Sequence, residues 1–432
     1  MQSQDTTVTT RVETAASPTW QPWSTTLQSW RMSALAVLPT FLGTRLLLLL
    51  LTYFGGILFT VNNNSTFALS FNSVLYNWYH WDALRNVTIA TQGYIDPAYS
   101  TLFPLYPTLI HLGSALTHID PLLTGMLITN IAFFAALVVL YRLVFTVNSA
   151  TTVENEEAEA REERSGLAAR RARRSILYLA AFPTALFFFA AYNTALVLLF
   201  SLLCLYLLRN GRWWLAGCCG ALAALTDITG ILLFVIFLCE LFRQRALFQQ
   251  RGPILRWLPV IASLCIPFGL AIYALALAKP FHDPLLFLHP QEGSNTVPPG
   301  TQQSIQQAFS GGLLTYGATH ILFELLIVIG LLTLLALGWF GKLRLDRAQW
   351  PLQLYGLLVV IWSLVSAHQP GSLADPLDPL PAVQYAALLC IPAFVVLARL
   401  GERPWLHNSY VIGAIAFQAF LVFQMFSGHW AM

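Results

Sequence analysis

The run Ser175–Leu208 reads SILYLAAFPTALFFFAAYNTALVLLFSLLCLYLL, with Arg174 immediately before it and Arg209 immediately after it. It is too long for one membrane-crossing helix, which needs about 20 apolar residues. Basic residues at a membrane boundary mark the cytoplasmic face. With arginines at both ends, the run has to leave that face and return to it as a helical hairpin. Its tip is the polar step Tyr192-Asn193-Thr194. The next run, Trp213–Phe242, repeats the arrangement between Arg212 and Arg243, with Thr226-Asp227-Ile228-Thr229-Gly230 at its tip. Helices this short place their tips within the bilayer or at its surface. Two such hairpins in succession specify an all-α, polytopic integral membrane protein.

The rest of the chain extends this reading. The sequence has 432 residues, 56% hydrophobic and only 10% charged. A soluble domain carries about a quarter charged residues, so core burial does not account for the composition and a bilayer does. Further apolar runs at Ala34–Thr60, Leu122–Phe145, Trp257–Ala278, Leu313–Phe340, Pro351–Ala367, Ala382–Ala398 and Ser409–Phe426 bring the expectation to about eleven transmembrane helices. Of the 23 Lys and Arg residues, all but Arg45, Arg85 and Lys279 fall on the side marked as cytoplasmic. Residues 1–33 read as a disordered cytoplasmic tail and 34–432 as a single transmembrane domain. Within it, 61–121 forms a large first extracytoplasmic loop and 147–174 a charged cytoplasmic loop. The net charge of +3 is split between loops, which excludes a nucleic-acid surface. The six cysteines all lie in apolar runs, without zinc spacing, and read as small hydrophobes. No metal and no cofactor is assigned. An internal repeat, expected of many transporters, is not visible.

The first outer loop concentrates the chemistry. It contains Trp78-Tyr79-His80-Trp81-Asp82, then Ala90-Thr91-Gln92-Gly93-Tyr94, then Phe103-Pro104-Leu105-Tyr106-Pro107. Aromatic residues suit a membrane interface. From the residues alone, Asp82 either caps a helix beginning at Ala83 or acts as a general base at the bilayer surface. His80 either orients an acceptor or simply sits at the interface. Phe103–Thr117 reads as a short amphipathic piece, re-entrant or interfacial.

The order of these pieces resembles the PIG-V family of mannosyltransferases. The resemblance is carried by Trp81, Asp82, Ile89, Ala90, Gly93, Tyr94, Phe103, Pro104, Leu105, Tyr106 and Pro107. Weaker pieces follow at Phe182-Pro183-Thr184-Ala185, Tyr192, Gly211–Gly217, Ala224-Leu225-Thr226 with Gly230, and Tyr385 with Pro392. The resemblance implies a GT-C-like glycosyltransferase with a polyprenyl-phosphate sugar donor, inversion at the anomeric carbon, and a glycan, lipid or protein acceptor outside the cytoplasm. It implies Asp82 as the catalytic base. Candidate donor-phosphate or substrate-binding residues are Arg45, Arg85, His80, Trp81, Tyr94, Tyr106, Tyr192 and Asp227. The expected location is a bacterial plasma membrane, with the endoplasmic reticulum as the other option.

Several positions depart from the family pattern. Thr194 stands where a Glu is usual, Asp227 and Gln384 where an Arg is usual, and Arg85-Asn86 where aromatics are usual. Three readings follow: Arg85 compensates for a lost phosphate partner, the donor or acceptor has changed, or the chain is catalytically inactive and binds polyprenyl lipid or a partner enzyme. Arg45 falls near the middle of the first span, where an arginine costs about 2.5–3.5 kcal/mol on insertion scales, so it should face protein. It binds donor phosphate or pairs with Asp227 or Glu324. Asp375 and Asp378 are set among turn-forming prolines. Asn63, Asn64 and Asn86 begin glycosylation sequons. The topology has a direct test. A thiol introduced by Asp82→Cys, in a chain whose native cysteines are replaced, is expected to react with an impermeant maleimide from the compartment opposite the arginine clusters; labelling from their own side overturns it.

Overall fold

The computed structural model describes residues 23–60, 74–149, 158–245, 257–288, 316–365 and 382–427. Among the described residues every regular element is helical. The α-helices are α1 (Trp23–Thr60), α2 (Trp81–Gln92), α3 (Leu105–Thr117), α4 (Pro121–Ser149), α5 (Ala158–Ala180), α6 (Thr194–Arg209), α7 (Trp213–Thr226) and α8 (Leu232–Arg243). They continue with α9 (Leu258–Ser263), α10 (Cys265–Phe281), α11 (Tyr316–Trp339), α12 (Trp350–Val365), α13 (Ala382–Leu389), α14 (Ile391–Leu400) and α15 (Pro404–Phe426). Among the described residues six stretches are long and apolar enough to cross a membrane, lying in α1, α4, α9–α10, α11, α12 and α15. A seventh forms if α13 and α14, bent by 65° at Cys390, count as one broken span. The protein is an integral membrane protein.

Every span expected from the sequence has helix in it, with differences of length. Helices α6, α7 and α8 contain 16, 14 and 12 residues. At 1.5 Å per residue they reach about 24, 21 and 18 Å, short of a hydrocarbon core of about 30 Å. The expectation of about eleven spans therefore includes helices that do not bridge a bilayer by length alone. Two boundaries also move. The expected tail 1–33 is already helical from Trp23, while 1–22 lie outside the described residues. Arg142 on α4 fixes that early turn: its guanidinium lies 4.5 Å from the Trp30 ring and its Nη1 donates to Ser29 Oγ at 2.8 Å. The charged segment 147–174 is largely helical too, since α4 runs to Ser149 and α5 starts at Ala158.

The first hairpin is less regular than a pair of helices. Helix α5 stops at Ala180, and the chain continues through a 3-10 turn, Pro183–Phe188, before α6 begins at Thr194. Pro183 has no N–H to give to an α-helical ladder, so the helix ends just before it. The 3-10 turn and the residues from Phe189 to Tyr192 are buried, apart from Pro183. Water cannot serve the carbonyls that the break releases, and an unpaired buried carbonyl is costly. Side chains from three other helices serve them instead. Arg45 Nη1 of α1 donates to Phe188 O at 2.6 Å, and Asn130 Nδ2 of α4 to Phe189 O at 3.1 Å. Asn86 Nδ2 of α2 donates to Ala191 O at 3.4 Å, and Thr129 Oγ1 of α4 to Tyr192 O at 3.0 Å.

The second hairpin packs its tip against the first. Asn193 Nδ2 donates to Thr226 O at 2.9 Å. Gly230 lies so close to Ala223 and Ala224 of α7 that a Cβ there would collide with their backbone. Trp78, fully buried, ties the first loop to this region: its Nε1 donates to Thr52 Oγ1 of α1 at 3.0 Å, and its ring meets Phe189 at 5.2 Å and Phe426 of α15 at 5.1 Å. At the other ends of the helices, Arg171 and Arg399 both donate to Asn148 Oδ1, at 3.3 and 3.2 Å, while Arg171 pairs with Glu402 at 2.6 Å. The arginines thus gather at one end of the bundle and the hairpin tips lie at the far ends of the same helices.

Arg45 settles into this scheme as a structural donor. Its Nη1 also donates to Asn130 Oδ1 at 3.0 Å, and the guanidinium carbon lies 4.7 Å from the Phe133 ring centroid. Among the described residues no salt bridge joins it to Asp227 or Glu324, so the expected ion pair is replaced by a carbonyl, an amide and aromatic faces. Arg45→Met strands the Phe188 carbonyl at a cost of about 1–3 kcal/mol. The expected outcome is a lower thermal midpoint in detergent. Asn130→Ala should do the same, and the double variant should lose less than the two losses combined, because the two side chains share a hydrogen bond.

Candidate functional site

The site grows out of the start of α2. His80 is the residue before the helix, in extended conformation, and no side chain caps the helix there. Trp81 then takes φ +48°, a left-handed conformation. Bulky residues rarely adopt it, and strain of this kind costs about 1–3 kcal/mol. The turn places Asp82 in the first turn of α2, where the helix dipole favours a carboxylate. Asp82 does not cap a helix starting at Ala83, because α2 already begins at Trp81.

Both carboxylate oxygens of Asp82 are engaged. Oδ1 accepts from Arg85 Nη1 at 3.3 Å, one turn along the same helix, and Oδ2 accepts from Tyr385 Oη of α13 at 3.2 Å. The two side chains of the ion pair remain 22% and 25% exposed for Asp82 and Arg85. A carboxylate has about four acceptor positions; two donors leave room for a substrate hydroxyl. Behind the carboxylate stands an aromatic group. Phe187 stacks on Tyr385 at 4.6 Å and meets Tyr192 at 5.1 Å, and Tyr192 lies 6.2 Å from Tyr385. The Tyr192 hydroxyl is fully buried and lies close to the Asp82 backbone and to the charges of Asp82 and Arg85.

Asp227 approaches from the second hairpin tip. Its Oδ1 accepts from Thr229 N at 2.8 Å and Thr229 Oγ1 at 2.6 Å, so it caps the short turn Ile228–Ile231. The structure therefore brings Trp81, Asp82, Arg85, Tyr192 and Asp227 into one region and adds Tyr385.

The remaining expected residues make other contacts. Arg45 serves the broken segment described above. Tyr94 Oη donates to Leu102 O at 2.6 Å and Tyr106 Oη to Gly125 O at 3.0 Å; these hydroxyls pin the first loop to itself and to α4. His80 is exposed, its ring 5.3 Å from Trp81, and partial burial lowers its pKa. Asn86, a sequon residue, is 1% exposed and inaccessible to glycosylation. Asn63, Asn64, Asp375 and Asp378 lie outside the described residues. Among the described residues no group of three or more His, Cys, Asp or Glu is placed to hold a metal ion. Tyr385 had a sequence signal only as a late motif piece; its link to Asp82 spans 303 residues.

No family model and no curated protein matches this sequence. The structure is similar to two crystal structures of an oligosaccharyltransferase from Archaeoglobus fulgidus. The one in complex with zinc and sulfate shares 12% identity at a TM-score of 0.38 over 88% of this chain and 53% of that one. The apo form shares 12% identity at 0.40 over 89% and 56%. The chain thus aligns with about half the length of that enzyme.

Proposed function

We propose that this protein is a GT-C-type membrane glycosyltransferase, similar to the PIG-V mannosyltransferases, that moves mannose or a related hexose from a polyprenyl phosphate to an acceptor hydroxyl outside the cytoplasm. The observation that carries the reading is Asp82: a partly exposed carboxylate on the first turn of a strained loop helix, set between a cation and a tyrosine. It coincides with the acid that the first-loop resemblance implies as the base.

In the proposed reaction the acceptor oxygen attacks the anomeric carbon and its proton passes to Asp82. The bond between that carbon and the phosphate oxygen breaks, and its electron pair leaves with the lipid phosphate. A phosphate leaving group needs no proton but gains from positive charge nearby. Arg85 is the cation placed to supply it. As its guanidinium turns toward the phosphate, Asp82 loses its charge partner and becomes the stronger base. Attack from the face opposite the phosphate inverts the sugar.

The departures from the family pattern favour a second reading, a catalytically inactive relative that binds polyprenyl lipid or a partner enzyme. Gln384, where the family usually has Arg, donates from Nε2 to the buried Glu324 of α11 at 3.1 Å rather than offering a charge to phosphate. The two readings separate in a reconstituted assay with labelled polyprenyl-phosphate mannose and glucose. Under the first, transfer is observed, Asp82→Asn lowers kcat by about 10²–10⁴-fold, and Arg85→Gln lowers kcat/KM. Transfer by Asp82→Asn at the parental rate removes the base assignment. Retained lipid binding without turnover on any donor selects the second reading.

A further inference from the structure

We infer that Tyr385 is a positioning residue for the Asp82 carboxylate, held in place by a buried polar brace on α13. The inference rests on the proposed role of Asp82 and adds to it a residue from the far end of the chain. The contact is direct: Tyr385 Oη donates to Asp82 Oδ2 at 3.2 Å. Its counterpart on the other oxygen is Arg85, at 3.3 Å. Both distances are long for charge-assisted hydrogen bonds, which run about 2.5–2.9 Å. The carboxylate is aimed but not tightly held, as is usual before a substrate arrives.

Three features fix the tyrosine. Its ring stacks on Phe187 at an interplanar angle of 26°, which limits rotation about the ring's own support. The preceding residue, Gln384, is fully buried and joins two other elements at once. Its carbonyl accepts from Thr184 Oγ1 in the broken hairpin at 3.1 Å, and its amide donates to Glu324 of α11 at 3.1 Å. The 65° bend at Cys390 separates α13 from α14, so α13 carries Tyr385 toward α2 independently of the rest of that span.

The energetics argue against a purely stabilising purpose. Burying a glutamate and a glutamine in apolar helices is expensive, and a well-packed apolar pair would serve stability as well or better. The brace instead sets the height and rotation of α13, and hence the position of one hydroxyl. That hydroxyl meets the partly exposed side of the site rather than the core, and it meets the proposed base.

The test is Tyr385→Phe in the full chain, which retains the ring and its stacking. The expected kinetic result is a kcat reduced about tenfold with KM within about twofold, a loss of transition-state stabilisation alone. A second readout needs no turnover. Modification of Asp82 by a carbodiimide and an amine, followed by peptide mass spectrometry, should accelerate severalfold in Tyr385→Phe, while the thermal midpoint stays near that of the parent. An unchanged modification rate at Asp82 overturns the inference whether or not the protein has turnover. A changed rate in a protein inactive on every donor retains the contact and removes the catalytic reading. A KM effect with unchanged kcat also overturns it, because the hydroxyl would then be binding substrate rather than aiming the base.

Discussion

The carbonyls released between Ala181 and Asn193 impose the constraint on which the architecture turns. A helix that breaks inside packed protein leaves acceptors that neither water nor its own ladder can satisfy. Four of them are served by Arg45, Asn130, Asn86 and Thr129, from α1, α4 and α2. These polar residues would each be a liability in an apolar helix. Together they form a mould around one irregular segment. The mould fixes α1 and α4 against it, and it binds α2, the helix that carries Asp82, through Asn86.

The same segment supplies the back of the site. Phe187 and Tyr192 lie in the irregular stretch, and both pack against Tyr385. The break therefore serves two purposes. It allows the chain to turn without a conventional loop, and it gathers aromatic side chains that a continuous helix would have spread around its circumference. The strained φ of Trp81 belongs to the same economy of position: a left-handed residue at the start of the helix redirects the chain so that Asp82 enters its first turn facing α13.

Charge is handled locally. Asp82 has Arg85 beside it, Glu240 has Arg243, and Arg171 has Glu402. The arrangement at Asp82 differs because the acid also faces a tyrosine. Asp227, half-buried, is held by hydrogen bonds from Thr229 of its own turn. Two acidic groups from separate elements thus share one region, with Arg85 paired to Asp82.

The sequence alone determined the helical, membrane-embedded class of fold and singled out the first loop as the place to look for chemistry. Hydropathy and the positions of arginines report directly on the solvent each segment requires, and a carboxylate among tryptophans stands out in any apolar chain. It also required Arg45 to face protein. What it did not contain was the identity of the partner, since a carbonyl made available by a break at Pro183 leaves no mark at residue 45. The helical state of 158–174, the burial of Asn86 and the pairing of Glu324 with Gln384 were settled by packing. So was the meeting of Asp82 with Tyr385, because a hydrogen bond between residues 303 positions apart depends on where whole helices come to rest, and no local spacing records that.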